Sequence, residues 1–372
     1  MLRKNRKKLI SLLMLVLFTV LVVRVNRVTK TELVSRNGQT FEKAVVEEIL
    51  TDNLQADGSR VGQQTVTVKM LTGVRKGETL EVTSSSGYLF GAGCTPGMHV
   101  IVMQSVAGET TIASVYTQDR EWVIYIFAAL YLLLLCVIGG KQGVRGSLGL
   151  VFTFISVIFL YIPLIYQGYS PFWTAVFVCF VTTLVTMYLI GGTAGKTICA
   201  IGGTIAGILC AGVTALIFSK ASGISGYNVS DIETLLTLWN TVGIQVGGLL
   251  FSGLLISALG ATMDVAMSVS SAMEEIAKQN PNLGMRELWL SGMRVGRDMM
   301  GTDSNTLILA FAGTSTSTLL LDYAYDLPYQ QIINSNNIGI AIMQGLSGSF
   351  GIVLSVPLTV TLCAFVMKRG IA

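Results

Sequence analysis

Charged residues are scarce in this sequence. Asp, Glu, Lys and Arg make up only 12% of the 372 residues, and 52% are hydrophobic, whereas a soluble domain is about one quarter charged. This balance excludes an ordinary soluble protein and predicts an integral membrane protein. The single histidine, His99, excludes an imidazole pair for zinc and provides no nearby base for a hydrolase triad.

Cysteine is also rare outside the apolar segments. Of the six cysteines, only Cys94 lies in a polar region, so the sequence predicts no disulfide framework and no CxxC site. We therefore expect neither a bound metal nor a cofactor.

The N-terminus combines a basic cluster with an apolar run from Leu9 to about Val25. The run is preceded by five basic residues, which are Arg3, Lys4, Arg6, Lys7 and Lys8. No small-x-small cleavage site follows the run. We therefore interpret residues 1–29 as an uncleaved signal anchor with its N-terminus in the cytoplasm.

Residues 30–120 form the only polar region of any size. They contain five short β-patterned runs, which are KAVVEEIL, QQTVTVKML, ETLEVTSS, GMHVIVMQ and TTIASVY. Turn dipeptides divide the runs, and TVTVKM alternates with the period of two of a half-buried strand. The region is predicted to be a small extracytoplasmic all-β module, a closed or partly closed OB-like barrel. Because its basic residues are interleaved with acidic ones, we do not expect it to bind nucleic acid.

From Trp122 onward, apolar segments of about 17 to 25 residues recur, each long enough to cross a bilayer. The predicted spans are 122–138, 148–167, 172–190, 198–219, 240–260, 301–321 and 340–366. With the anchor, they predict an α-helical polytopic membrane protein of about eight transmembrane helices, whose multi-pass domain covers residues 121–372. Lys and Arg concentrate in alternate loops, which predicts that both termini are cytoplasmic.

Glycine motifs mark turns and packing faces. The run GGTAGKT, Gly191–Thr197, lacks the first glycine of a phosphate-binding loop, because Ile190 occupies that position. We interpret this run, and likewise Gly139–Gly143, as tight reversals between membrane helices. The remaining helix glycines are predicted to be close-packing positions, namely Gly203, Gly207, Gly243, Gly247, Gly248, Gly253 and Gly260.

Residues 261–300 form a predicted cytoplasmic helical hairpin, whose second helix is capped by Asn280 with Pro281 in its first position. The polar side chains recur at helical spacing along both helices. On the first helix they are Asp264, Ser268, Ser271, Glu275 and Lys278. On the second, the polar or small residues are Glu287, Ser291, Arg294, Asp298, Gly301 and Asn305, and this face continues into the apolar run that follows.

Ionisable residues at membrane depth are costly and usually functional. The candidate path for a solute or ion therefore consists of Asp264, Arg294, Arg297, Asp298 and Asn305, with Arg294 or Arg297 neutralising Asp264 or Asp298. The alternative interpretation is an amphipathic hairpin whose Arg–Asp pairs are structural. Asp264 and Asp298 could also converge as a protease dyad, but the surrounding residues lack the GxGD pattern, so we expect no enzyme.

The chain resembles the YibE/F family of bacterial multi-pass membrane proteins over residues 120–367. The motifs that carry the resemblance are GGKQGVRG, GGTAGKTICAIGGTIAG, LGATMDVAMSVSSAMEEI, SGMRVGRDMMGTDSNTLILAFAG and GSFGIVLSVPLT. The resemblance implies a multi-pass protein of the bacterial cell membrane and implies no particular reaction. It also implies an uncharged residue at position 303, where this chain has Asp303.

Two functions remain as expectations. The first is a transport or permeation component for an ion or small polar solute. The second is a non-catalytic scaffold or assembly factor that binds partners through the β-module and the hairpin. The expected partners are the lipid bilayer and either further copies of the chain or another membrane protein.

Overall fold

A computed structural model describes residues 16–31, 38–56, 58–85, 91–107, 110–229 and 231–368. Residues 9–15, the first part of the predicted anchor run, lie outside these ranges. The chain divides into two compact units, one of residues 32–134 and one that combines residues 1–31 with 135–372.

The first unit contains a closed barrel of five strands, as the sequence predicts. The strands are β1 (Gln39–Thr51), β2 (Gln64–Met70), β3 (Thr79–Ser84), β4 (His99–Ala107) and β5 (Thr110–Gln118). Their order around the barrel is β1-β2-β3-β5-β4, and every pairing is antiparallel except β3 with β5. This is a Greek-key closure of the OB-like kind.

Alternation along the strands builds the barrel core. In β2 the side chains of Val66, Val68 and Met70 are buried, while the residues between them are more exposed, as a period of two requires. At one end of the core, Gln64 and Cys94 are both fully buried and exchange two hydrogen bonds. The Gln64 side-chain amide donates to the Cys94 carbonyl at 3.1 Å, and the Cys94 N–H donates to Gln64 Oε1 at 2.8 Å.

The rest of the described chain is helical. The helices are α1 (Val16–Val25), α2 (Glu121–Ser156), α3 (Ile162–Tyr166), α4 (Pro171–Gly191), α5 (Gly195–Ser222), α6 (Ile232–Val242), α7 (Leu249–Gln279), α8 (Met285–Thr314), α9 (Thr316–Ala324), α10 (Tyr329–Ile333) and α11 (Asn336–Lys368). A π-helical turn, Val157–Tyr161, joins α2 to α3, and a 3₁₀ turn, Val246–Gly248, leads into α7. Five of the described helical segments are long and apolar enough to cross a membrane, or six if the bent pair α8–α9 is one span.

The predicted reversal at Gly139–Gly143 is confirmed within α2. Gly140 has φ 52° and ψ −131°, which is not helical and which favours glycine. The Cys136 Sγ and Ser147 Oγ atoms lie 3.5 Å apart, whereas eleven residues of straight helix would separate them by about 16 Å. The chain therefore turns back here, and α2 consists of two helices that correspond to separate predicted segments.

The core of the membrane bundle is the contact of α5 with α7 and α11. Gly203 and Gly207 lie in this contact, as predicted: a Cβ on Gly207 would come within 2.4 Å of Thr262 Cγ2 on α7 and 2.9 Å of the Gly351 carbonyl oxygen on α11. Only glycine permits this approach.

Three other glycines do not pack within the described chain. Gly243 is not helical but caps α6 with φ 81°. For Gly253 and Gly260, on α7, no atom of the described chain other than the helix's own nearby backbone lies within 4 Å of an added Cβ.

Three predicted boundaries also need correction. The predicted span 240–260 begins too early, because α6 ends at Val242 and the next helical turn starts at Val246. The predicted span 301–321 is not straight, because α8 and α9 meet at 57°. Asn280 is the C-cap of α7 rather than an N-cap, and α8 starts after Gly284, whose N–H donates to the Glu287 carboxylate at 2.9 Å.

Candidate functional site

The polar faces predicted on α7 and α8 point away from the helix bundle. On α7, Val265, Val269 and Met273 are buried, while Asp264 and Ser268 are exposed. On α8 the buried residues are Leu288, Gly292, Gly296 and Leu307. The exposed residues of α8 include the other predicted site residues, which are Arg294, Arg297, Asp298 and Asn305. We call the exposed side chains of residues 253–268 and 294–306 the α7–α8 face.

The neighbouring helix α4 supplies a depth scale for this face. Its 21 residues span about 31 Å, which is the thickness of the hydrocarbon core. Pro171, its first residue, lies against Gly248, and Gly191, its last residue, lies against Met267. With α4 taken as one full span, Gly248 and Met267 mark the two boundaries of the core on α7, and Asp264 lies one turn inside the Gly191 boundary.

The hairpin geometry places the α8 residues on the same scale. Gly292 on α8 contacts Met273 on α7. Because the two helices are antiparallel, Asp298, six residues after Gly292, is level with Met267, six residues before Met273, and therefore with the Gly191 boundary. Asn305 lies seven residues further in, or about 10 Å. On the same scale, Arg294 and Arg297 lie at or outside the Gly191 boundary.

The predicted Arg–Asp pairs do not form within the described chain. None of its ion pairs includes Asp264, Arg294, Arg297 or Asp298. The carboxylate within electrostatic range of Asp264 is instead that of Asp303, which is half-buried on α8. Asp303, and not Asp298, is therefore the carboxylate of the described chain that interacts electrostatically with Asp264.

Sequence reasoning missed an ion-pair network at the Gly191 end of the bundle. Lys196 Nζ lies 2.9 Å from Glu274 Oε2, and Lys278 Nζ lies 3.4 Å from Glu274 Oε1. The turn Gly191–Thr197 is thus a reversal, as predicted, whose lysine ties α5 to α7. The spacing of Glu274 and Lys278, four residues apart, was a readable signal for part of this network.

The break between α8 and α9 is the second polar feature of the bundle. At Ser315 the helix axis turns by 57°, and an open cavity of about 270 Å³ lies beside the turn. The cavity is lined by Val229, Thr314, Ser315, Thr318, Asn337, Ile340, Ala341 and Gln344. A second, apolar cavity of about 340 Å³ shares Ser315 and Ala341 with it.

Three polar side chains of the cavity lack partners. Thr318, Asn337 and Gln344 form no side-chain hydrogen bond with any part of the chain that the structure describes. Thr314 and Thr316 differ, since their hydroxyls donate to the Phe311 and Ala312 carbonyls of the last turn of α8. Hydroxyl and amide groups without partners, beside the break of a helix, can bind an ion or an uncharged polar solute.

The sequence contains a signal for this break that hydropathy and helical periodicity do not reveal. GTSTST, residues 313–318, places five consecutive hydroxyl residues after an apolar run, and such residues compete with the helix for backbone hydrogen bonds. No group of three or more potential metal ligands among His, Cys, Asp and Glu occurs in the described ranges.

Comparison with known proteins identifies the family. No curated protein and no solved structure gave a match. The model of the YibE/F-like protein family matches residues 127–369, which include α4, α5, α7, α8 and α11 and all residues of the α7–α8 face. Since the match covers well over half of the chain, this membrane protein belongs to the YibE/F-like family.

Proposed function

We propose that this chain is a membrane transport or permeation component for a small cation or small polar solute. The observation that carries the proposal is the broken span at Ser315 with its polar cavity. Discontinuous helices provide binding sites in many transporters, because the ends of half-helices expose backbone groups that coordinate solutes.

The cavity lining contains neither basic nor acidic side chains, which suits a small solute held by hydroxyl, amide and backbone groups. The C-terminal end of α8 contributes the negative end of a helix dipole, and the first turns of α9 and α11 contribute positive ends. A site of about 270 Å³ is also small compared with the pockets of about 300–1,000 Å³ that hold drug-sized ligands.

A row of polar side chains also lies near the other end of α8, beyond the apolar run Leu307–Gly313. Thr302, Asn305 and Thr306 are exposed on α8, Asp303 is half-buried beside them, and Asp264 is exposed on α7. Polar groups along a span are expected where a solute crosses the bilayer. Acidic groups in this row agree with a cationic solute.

The competing function is a scaffold that binds membrane partners. It is favoured by one observation, which is that the chain itself does not cover the α7–α8 face. Asp298→Asn separates the two functions. Transport predicts altered flux in proteoliposomes, whereas unchanged flux with loss of co-purifying partners would support the scaffold.

The direct test is flux of Na⁺, K⁺ and glycerol, used as probes, through proteoliposomes that contain the full chain. Thr318→Val removes a hydroxyl from the cavity and keeps the side chain nearly the same size. We expect it to reduce the flux of whichever probe the wild-type chain conducts. Thr316→Val is the matched control on the same helix, because its hydroxyl is bound to Ala312 and does not line the cavity. Equal flux in both variants would exclude this cavity from the path.

A further inference from the structure

We infer that the α7–α8 face is the contact between two copies of this chain, related by a two-fold axis along the membrane normal. The inference rests on exposure, depth and charge, and it does not depend on the proposed transport function. It accounts for site residues that point away from their own bundle.

Leaving this face in lipid would be costly. Asp264 and Asn305 are exposed and lie inside the hydrocarbon core on the depth scale given by α4. Polar and charged side chains inside the hydrocarbon core are unfavourable in contact with lipid and usually face protein or a water-filled cavity. A second protein surface over the face would remove these side chains from lipid.

The other exposed span of the chain differs in composition. The first part of α2 is also not buried, but residues 122–138 contain no charged side chain and no Asn or Gln. Lipid alone can solvate such a helix. Exposure by itself thus does not call for a protein partner, whereas exposure of Asp264 and Asn305 does.

The charges of the face identify a second copy as its occupant. When two copies cross the membrane in the same direction, equivalent residues of the two copies lie at the same depth and can face each other. Arg297 and Asp298 are adjacent in sequence, exposed, and without an ion-pair partner in the described chain. Across a two-fold axis, Arg297 of one copy can pair with Asp298 of the other, and the same pair forms twice. The face is therefore complementary to itself.

The shape of the face also leaves room for a second copy. Around Gly253 and Gly260 on α7 and Gly301 on α8, no described atom lies within 4 Å of an added Cβ. Small residues on one side of a membrane helix let a second helix approach closely. These glycines do not pack within their own bundle, so they are available to the helices of the other copy.

The test measures the mass of the full chain in lipid nanodiscs by native mass spectrometry. We expect two copies per particle for the wild-type chain and one copy for Asp298→Arg or Arg297→Asp, because like charges would then meet at the axis. Combining the two substitutions should restore two copies. Arg145→Asp, a reversal of an exposed charge on α2, should leave two copies.

A second measurement remains valid if a charge variant fails to fold. Gly301→Cys should form a disulfide with the same residue of the other copy under mild oxidation, whereas Ile217→Cys, exposed on α5, should not. One copy per wild-type particle, two copies in Asp298→Arg, or equal cross-linking at both cysteines would overturn the inference. A particle that contains a different membrane protein on this face would overturn it as well.

Discussion

Substituting Gly207 by alanine tests the packing that holds the membrane bundle together. The new Cβ would lie 2.4 Å from Thr262 Cγ2, 2.8 Å from Ser355 Cβ and 2.9 Å from the Gly351 carbonyl oxygen. Real Cβ atoms do not approach other atoms this closely, so α5 must move away from α7 and α11. One of the obstacles is backbone, which cannot rotate out of the way as a flexible side chain can.

The magnitude follows from two opposing terms. Overpacking a core costs about 1–3 kcal/mol, whereas alanine in place of glycine in a helix returns at most about 1 kcal/mol. Because two neighbouring helices must shift, we expect a cost in the upper part of the range and a net loss of about 2 kcal/mol.

Gly146→Ala is the matched control. Gly146 is helical, and no described atom lies within 4 Å of its added Cβ, so this variant should keep or slightly raise the stability. The assay is unfolding of both variants in mixed dodecylmaltoside and SDS micelles, followed by tryptophan fluorescence. If Gly207→Ala were as stable as Gly146→Ala, the close contact of α5 with α11 would be wrong.

Three further predictions concern the β-module and the turn in α2. Burial would raise the pKa of Asp52, but hydrogen bonds from Arg60 at 2.7 Å and from a backbone N–H outweigh it and lower the pKa. The stabilisation is thus fully present above the unfolded-state pKa of about 3.9 and is lost as the pH falls through the lower folded-state pKa. The difference in thermal midpoint between wild type and Asp52→Asn should therefore shrink below about pH 4. A difference that does not change with pH would contradict this prediction. Gln64→Leu leaves the buried Cys94 N–H and carbonyl unpaired and should lower the free energy of unfolding by roughly 1–3 kcal/mol. The loss should appear as a lower thermal midpoint and as faster reaction of the Cys94 thiol with maleimide. An unchanged rate of labelling would argue against this prediction. Gly140→Ala forces a non-glycine residue into φ 52°, ψ −131° and should cost of the order of 1–3 kcal/mol, seen as a lower detergent-unfolding midpoint than that of Gly139→Ala.

Periodicity was enough to predict the local structure. Alternation in TVTVKM predicted β2, and Asp264 and Ser268, which the helical repeat placed on the polar face of the first hairpin helix, are exposed. The glycines at 203 and 207 were predicted correctly because their spacing of four residues lies within a long apolar helix, where close packing is the main use of small residues.

Tertiary information was missing where the predictions failed. Gly253 and Gly260 lie in the same kind of apolar helix, but only the positions of the neighbouring helices show that nothing in the described chain covers them. Likewise, the helical repeat placed Asp264 and Asp298 on polar faces, but it could not reveal that Asp303 is the carboxylate near Asp264. The break at Ser315 escaped prediction because residues 301–321 remain apolar enough on average to span a membrane.

The most direct test of the proposed path is modification of the cavity at the α8–α9 break with a thiol reagent during flux. Thr318→Cys places a thiol in the cavity, and Thr316→Cys places one on the same helix outside it. In proteoliposomes assayed with Na⁺, K⁺ and glycerol, we expect both variants to conduct the accepted probe before labelling. A charged, membrane-impermeant methanethiosulfonate should then block flux through Thr318→Cys and leave Thr316→Cys unaffected. Equal flux in both variants after complete labelling, or no flux above empty liposomes for the wild-type chain, would contradict the proposed path.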